Sequence, residues 1–217
     1  MKNIPRIFIG ENAAVGGRVP VAPDVAHYLT RVMRRHDCLV FGSGREFMAT
    51  LSDDGRFLNI GAQTSHSDPS GNVVLYFAPI KRVDDLINMA TQMGVAAFVP
   101  VITERTTAHH INWARMQKIA TEAAEQSNRN SVPEIRPEIK FADLDLSGFV
   151  FADERAAYGA ALPDTVNTDK ILVGPEGGFS DAEFAALDAA GAVGISLGKT
   201  ILRAELAAAI ALGRVTK

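Results

Sequence analysis

The 217 residues are 47% apolar and 22% charged, enough apolar content to bury a sizeable core in one large domain or in two smaller ones. No run of 18 apolar residues occurs, so no membrane helix is expected, and the apolar part of MKNIPRIFIGEN is too short for a secretory leader. The single cysteine, Cys38, rules out an internal disulfide and a cysteine metal cluster, and a reducing, cytoplasmic setting is expected.

The net charge of −3 hides a gradient. Residues 1–70 carry 8 basic and 7 acidic side chains, residues 71–140 again 8 and 7, and residues 141–217 carry 6 and 11. Nucleic-acid binding requires a local basic patch rather than a basic total, so the composition permits it.

In chain order, residues 1–69 hold short apolar segments, CLVFG (38–42), REFMATLS (45–52) and RFLNIGA (56–62), broken by Gly, Asp-Gly and Ser. They read as a small β-rich unit with one helix at about 22–35. HSDPSGN (66–72) is a polar, turn-forming break, and the domain boundary is expected there. From residue 73 the period changes. VVLYFAPI is a nearly continuous apolar run, as in a strand buried on both faces. Val83, Leu86, Ile87, Ala90 and Met93 then fall at helical spacing, and Gly94 closes that helix. VAAFVPVI (95–102), FVFAD (149–153), ILVG (171–174) and GISLG (194–198) read as further strands, with helices at 112–127, 181–190 and 203–214 between them. Such alternation predicts a mostly parallel sheet covered on both faces.

The stretch Gly174-Pro175-Glu176-Gly177-Gly178-Phe179 joins a strand to a helix. A phosphate loop would need a Lys and a Ser/Thr after its last glycine, and Glu176 would repel the phosphate. A dinucleotide fingerprint, Gly-x-Gly-x-x-Gly, is absent, so a nucleotide-dependent oxidoreductase is disfavoured. A tight turn alone would explain the glycines. Ser180-Asp181-Ala182-Glu183 has the form of a capping box, which accounts for Ser180 and Glu183 structurally.

The second loop, Leu197-Gly198-Lys199-Thr200-Ile201-Leu202-Arg203-Ala204-Glu205, is again strand, loop, then helix. Together GPEGGF and LGKTILRAE resemble the small-subunit ribosomal RNA uracil-N3 methyltransferases of the SPOUT superfamily, whose members carry GPEGG and an LGxRILRxETA-like segment. RVMR (31–34), QMGVAAFVPVITER (92–105) and EQSNRNSVPEIRP (125–137) match in order, so the resemblance spans nearly the whole chain. Where the family pattern has Arg this chain has Thr200, and where it has Thr-Ala after the Glu it has Leu206-Ala207.

The resemblance implies an α/β protein with a PUA-like RNA-binding β-barrel over 1–69. A SPOUT methyltransferase domain with a trefoil knot would follow over 70–217. It implies an S-adenosylmethionine site formed by Leu172, Gly174, Pro175, Glu176, Gly177, Gly178, Leu197, Gly198, Ile201 and Leu202. The cationic cofactor would tolerate Glu176 where a phosphate would not. Arg203 suits charge stabilisation at the uracil oxygens, because a guanidinium stays protonated and offers several donors. Glu205 is the candidate acceptor of the N3 proton, provided its surroundings raise its basicity. An ion pair at a helix start is the structural alternative for both. Arg31, Arg34, Arg35, Lys81, Arg82 and Arg129 are candidate RNA contacts, although each would serve equally on a solvated face. The implied partners are small-subunit ribosomal RNA or the assembled small subunit, and a second copy of the chain in a homodimer. No metal is implied: His109 and His110 alone supply too few ligands. A non-catalytic RNA-binding protein retaining this fold is the alternative function. Cys38 and Trp113 read as packing, and Asn128 and Asn130 either read a base edge or cap a turn.

Overall fold

The computed structural model describes residues 4–10, 14–68, 71–107 and 110–215. It divides into two compact units, one of residues 1–69 with 121–132 and one of residues 70–120 with 133–217. The helical stretch beginning at Thr121 thus clusters with the first 69 residues rather than with the sheet that precedes it.

In the first unit β1 (Arg6–Phe8), β3 (Asp37–Gly42), β4 (Arg45–Leu51), β5 (Phe57–Gln63) and β2 (Arg18–Pro20) form one sheet in that spatial order. The β1–β3 pair is parallel and the others are antiparallel, with a register shift between Phe47 and Ala49 that curls β4. Alternate residues point inward, so Cys38, Val40, Phe47, Ala49, Leu51, Leu58 and Ile60 bury one face against Leu29. Leu29 comes from the predicted helix: α1 (Pro23–His27) starts on Pro23 and continues as a wider, π-helical turn over Tyr28–Met33. It ends where Arg34 turns left-handed at φ 53°. Arg6 is the polar centre of this unit. Its guanidinium meets Glu46 at 2.9 Å and Asn130 Oδ1 at 2.7 Å, over the ring of Phe41.

The second unit is a parallel sheet in the order β12-β10-β11-β6-β7-β8. Its strands are β6 (Val74–Phe77), β7 (Ala97–Ile102), β8 (Glu134–Ile135), β10 (Val150–Ala152), β11 (Lys170–Val173) and β12 (Val193–Ile195), with β9 (Ile139–Lys140) pairing on β7. The short β8 and β9 carry no apolar run and were not legible as strands. The helices α2 (Val83–Gln92), α4 (Asp181–Ala189) and α5 (Ala204–Gly213) belong to this unit, and so do the first eight residues of α3 (Trp113–Gln126). α2 buries Leu86, Ile87, Ala90 and Thr91, while Met93, just past its end, is 47% exposed. α5 packs on α2 with a face of Ala204, Ala207, Ala208 and Ala211, small enough for close approach. The alanine face is therefore spent inside the unit rather than offered to a second copy. Among the described residues no helix is long and apolar enough to cross a membrane.

The strand order places the site. The chain leaves β6 for β7 on one side, then returns to lay β10 and β11 on the other, with β11 against β6 and β10 beyond it. Loops after β6, β10, β11 and β12 all emerge at the carboxyl ends of these parallel strands.

Candidate active site

The loop after β11 is a tight turn held from three directions. The Gly178 N–H donates to the Pro175 carbonyl at 2.9 Å, which closes the turn with Gly178 at φ 69°, a conformation that favours glycine. Arg105, in the loop after β7, donates to the carbonyls of Gly177 and Phe179, each at 3.0 Å. The Glu176 carboxylate accepts the Lys81 backbone N–H at 2.9 Å and so ties this turn to the segment leading into α2. The capping box forms as the sequence predicts. Glu183 also accepts the Glu104 N–H at 2.8 Å, which fixes the loop after β7 to the start of α4.

Beside this turn lies a cleft of about 430 Å³. Its walls come from four loops. Gly174, Pro175, Glu176, Gly178 and Phe179 form one wall, and Ala152, Asp153, Glu154 and Ala157 form the next. Leu197, Gly198 and Thr200–Glu205 close a third side, with Lys81 and Arg82 at the fourth. The lining is mostly backbone and small or apolar side chains, with carboxylates at several points.

Asp153 is fully enclosed and accepts from Arg155 at 2.7 Å, and Arg155 also reaches Asp188 at 2.9 Å over the ring of Phe184. Its hydrogen bonds to Asp188 first, then to Asp153, hold the guanidinium more firmly ionised than an ordinary arginine. This clamp fixes the 153–158 segment against α4. A side chain at Gly194 would collide with the Asp153 carboxylate, so β12 approaches that clamp closely.

Glu205 stands in the first turn of α5, where the helix dipole favours a carboxylate, and is 8% exposed. Its Oε1 lies 3.9 Å from Arg82 Nε. Arg203, the N-cap residue of α5, is exposed, and its side chain makes no hydrogen bond or ion pair among the described residues.

The structure brings ten of the predicted catalytic and cofactor-binding residues together: Gly174, Pro175, Glu176, Gly178, Leu197, Gly198, Ile201, Leu202, Arg203 and Glu205 all line the cleft. Leu172 and Gly177 lie outside its lining. Leu172 is buried among Val101, Phe149, Phe151 and Phe179, because a residue in a doubly covered parallel strand points into the core. A side chain at Gly177 would point to Arg105, at 3.5 Å. Lys81 and Arg82 line the cleft itself, a position the sequence did not suggest.

In the first unit the side chains of Arg31 and Arg34 are exposed and without partners among the described residues, while Arg35 pairs with Asp37 at 3.0 Å. Arg129 is half-buried and donates to Ser131 at 3.1 Å; burial makes its guanidinium easier to deprotonate than usual, opposed by the charge of Asp68. Asn130 is fully buried, accepting from Arg6 and donating to the His66 carbonyl, so its amide belongs to the fold. Trp113, expected as packing, is 40% exposed. His110 is exposed and His109 lies outside the described residues; no group of three metal-ligating side chains occurs among those described. The residues missed by sequence reasoning, Arg105, Asp153 and Arg155, act across loops far apart in the chain. Only ITER (102–105), part of a matched stretch, pointed to one of them.

A ligand-sized cleft at the carboxyl ends of parallel strands, where the strand order reverses, defines an α/β protein that binds a small organic molecule between its loops. Residues 66–216 match the model of the RNA methyltransferase domain, and the chain belongs to that family. It is 33% identical to a ribosomal RNA small subunit methyltransferase E of Rickettsia conorii, over 97% of this chain and 94% of that protein. The corresponding protein of a Synechocystis strain is 27% identical over 97% of this chain and 76% of its own length. Among solved structures, that of a ribosomal RNA small subunit methyltransferase E from Neisseria gonorrhoeae bound to S-adenosyl methionine superposes with a TM-score of 0.81. It is 27% identical and covers 97% of this chain and 96% of its own.

Proposed function

We propose that this chain transfers the methyl group of S-adenosylmethionine to N3 of a uridine in small-subunit ribosomal RNA. The observation that carries the reading is the cleft itself. The two loops that resemble the family's motifs, 174–178 and 197–205, converge on one space although β12 and α4 separate them in the chain. The lining suits the cofactor: alanines and glycines leave room for a neutral nucleoside, and Glu176 and Glu205 complement a cation. When bound, S-adenosylmethionine supplies an electrophilic methyl group on a sulfonium.

The rest is the work of side chains. Uracil N3 is a weak nucleophile until its proton leaves, and the resulting charge spreads to the neighbouring oxygens. Arg203, unpaired at the cleft wall, donates to those oxygens and so favours the charged form. The loops 174–178 and 197–205 would hold the cofactor and the uracil against each other, which removes much of the entropic part of the barrier. The N3 proton passes to Glu205 or to water.

The same reading extends to the fold and the partners. The curled sheet of residues 1–69 acts as a PUA-like RNA-binding unit, with Arg31 and Arg34 as phosphate contacts and Arg35 and Arg129 as weaker candidates. The segment 196–203 completes a trefoil knot in the 70–217 domain, where β11 is inserted between β6 and β10. Two copies pair, with the exposed Ile201 and Leu206 beside the cleft as the surface a partner would cover. The protein acts in the cytoplasm, where its ribosomal substrate is assembled.

Two measurements test the reading. Calorimetry of the folded protein with S-adenosylmethionine is expected to show binding; absence of heat would favour a non-catalytic RNA-binding protein. Mass spectrometry of small-subunit ribosomal RNA from a strain lacking the gene is expected to lose one N3-methyluridine, restored by the cloned gene. An unchanged nucleoside profile would sink the proposal.

A further inference from the structure

Glu205 presents an unusual balance. It is 8% exposed, yet its carboxylate accepts no hydrogen bond among the described residues, and its nearest charge is Arg82 at 3.9 Å. A buried carboxylate with no donor is costly unless a cation stands close by. Arg82 is that cation, and it is itself loosely held. It leads into α2 without capping it, its side chain is 58% exposed, and its other partner is Asp85 at 3.5 Å. Most of its five N–H donors are therefore unfilled beside the cleft.

Thr200 lines the same cleft at the position where the resembling segment has a guanidinium. The cleft thus lacks an arginine from the α5 side and has one from the α2 side. The charges divide by depth. Asp153 and Glu205 are buried and would repel an incoming phosphate, whereas Lys81, Arg82 and Arg203 are exposed. A uracil entering the cleft would leave its phosphates at the rim, where those cations stand.

We infer that Arg82 contacts the phosphate beside the target nucleotide, positioned by Glu205, and does the work of the guanidinium absent at position 200. This rests on the RNA-methyltransferase reading and assigns Glu205 a positioning role rather than that of the proton acceptor.

The test uses the full chain with a small-subunit ribosomal RNA substrate and follows methyl transfer, filter binding and cofactor calorimetry. Arg82→Ala is expected to raise KM for RNA about tenfold, the worth of one charge-assisted hydrogen bond, with kcat within about threefold. The salt dependence of RNA binding should weaken by about one phosphate contact, and Arg82→Lys should retain most of it. Glu205→Gln should raise KM in the same direction in the wild-type background and add nothing in the Arg82→Ala background, as coupled residues do. Thr200→Arg should bring the Arg82→Ala protein back to within about threefold of wild-type KM.

An unchanged KM and salt slope in Arg82→Ala overturns the inference. So does a loss confined to kcat, a collapse of cofactor affinity, or additive effects of the two substitutions. Additivity with a loss in kcat would make Glu205 the proton acceptor. Failure of Thr200→Arg to rescue overturns the equivalence with position 200. If wild-type protein neither binds cofactor nor methylates RNA, the functional reading itself fails, an outcome distinct from an active wild type with an indifferent Arg82→Ala.

Discussion

Two adjacent glycines of one motif are expected to differ sharply in what they tolerate. Gly178 has φ 69°, and an alanine there bears the left-handed penalty of about 1–2 kcal/mol. Its methyl group would also stand 2.6 Å from Glu154 Oε1. Glu154 is exposed, so its carboxylate can swing aside, and this contact adds only about a few tenths of a kcal/mol. Gly177 is not left-handed, and a methyl group there meets Arg105 Cβ at 3.5 Å, an ordinary contact. Its replacement should cost no more than about 0.5 kcal/mol. For a chain of this length the difference appears as a melting temperature lowered by about 2–8 °C in Gly178→Ala, against about 2 °C at most in Gly177→Ala. Cofactor affinity should follow the same order, because Glu154 and Gly178 both line the cleft and Gly177 does not. Thermal melts and calorimetry with S-adenosylmethionine would be run on both variants. Equal losses at the two positions, or the larger loss at Gly177, would refute the reasoning.

Three further outcomes are expected. Arg34→Ala should weaken RNA binding and reduce its salt slope by about one phosphate contact with cofactor affinity retained, whereas Arg203→Ala should lower kcat far more than RNA affinity; equal losses of affinity with unchanged rates would make Arg203 one more phosphate contact. Arg6→Ala should cost about 3–5 kcal/mol in guanidinium denaturation, because it strands Glu46 in a site where the paired side chains are 7% and 4% exposed; a loss under about 1 kcal/mol would mean that water replaces the guanidinium. Burial, aided by the neighbouring Asp37, pushes the Cys38 thiol up to about 12 from an ordinary 9.0, so the native protein should resist thiol reagents at pH 8. Because that value is raised on folding, the contribution is complete below about pH 9. Stability should then fall by about 1.4 kcal/mol per pH unit as pH rises toward 12; rapid native labelling at pH 8 would contradict this.

Local signals carried much of the fold. The change from alternating to continuous apolar runs after residue 73 announced the parallel sheet, since a strand covered on both faces has no polar side to show. The capping box at Ser180 and Glu183 and the helical spacing through α2 depend on neighbours three or four residues away, and both formed where expected. The two glycine motifs were likewise visible as loops that close on something, although the cofactor came from resemblance rather than from spacing. Tertiary structure decided which side each loop residue faces. Leu172 and Gly177 sit inside the motif yet turn to the core and to Arg105, while Lys81 and Arg82 sit outside it yet reach the cleft. Those outcomes depend on β11 lying against β6, a pairing of segments distant in the chain that local periodicity does not encode. The same holds for the buried amide of Asn130, the half-buried Arg129 and the alanine face of α5. A side chain's periodicity is set by its own strand or helix, but its partner is set by whichever segment the strand order carries alongside it.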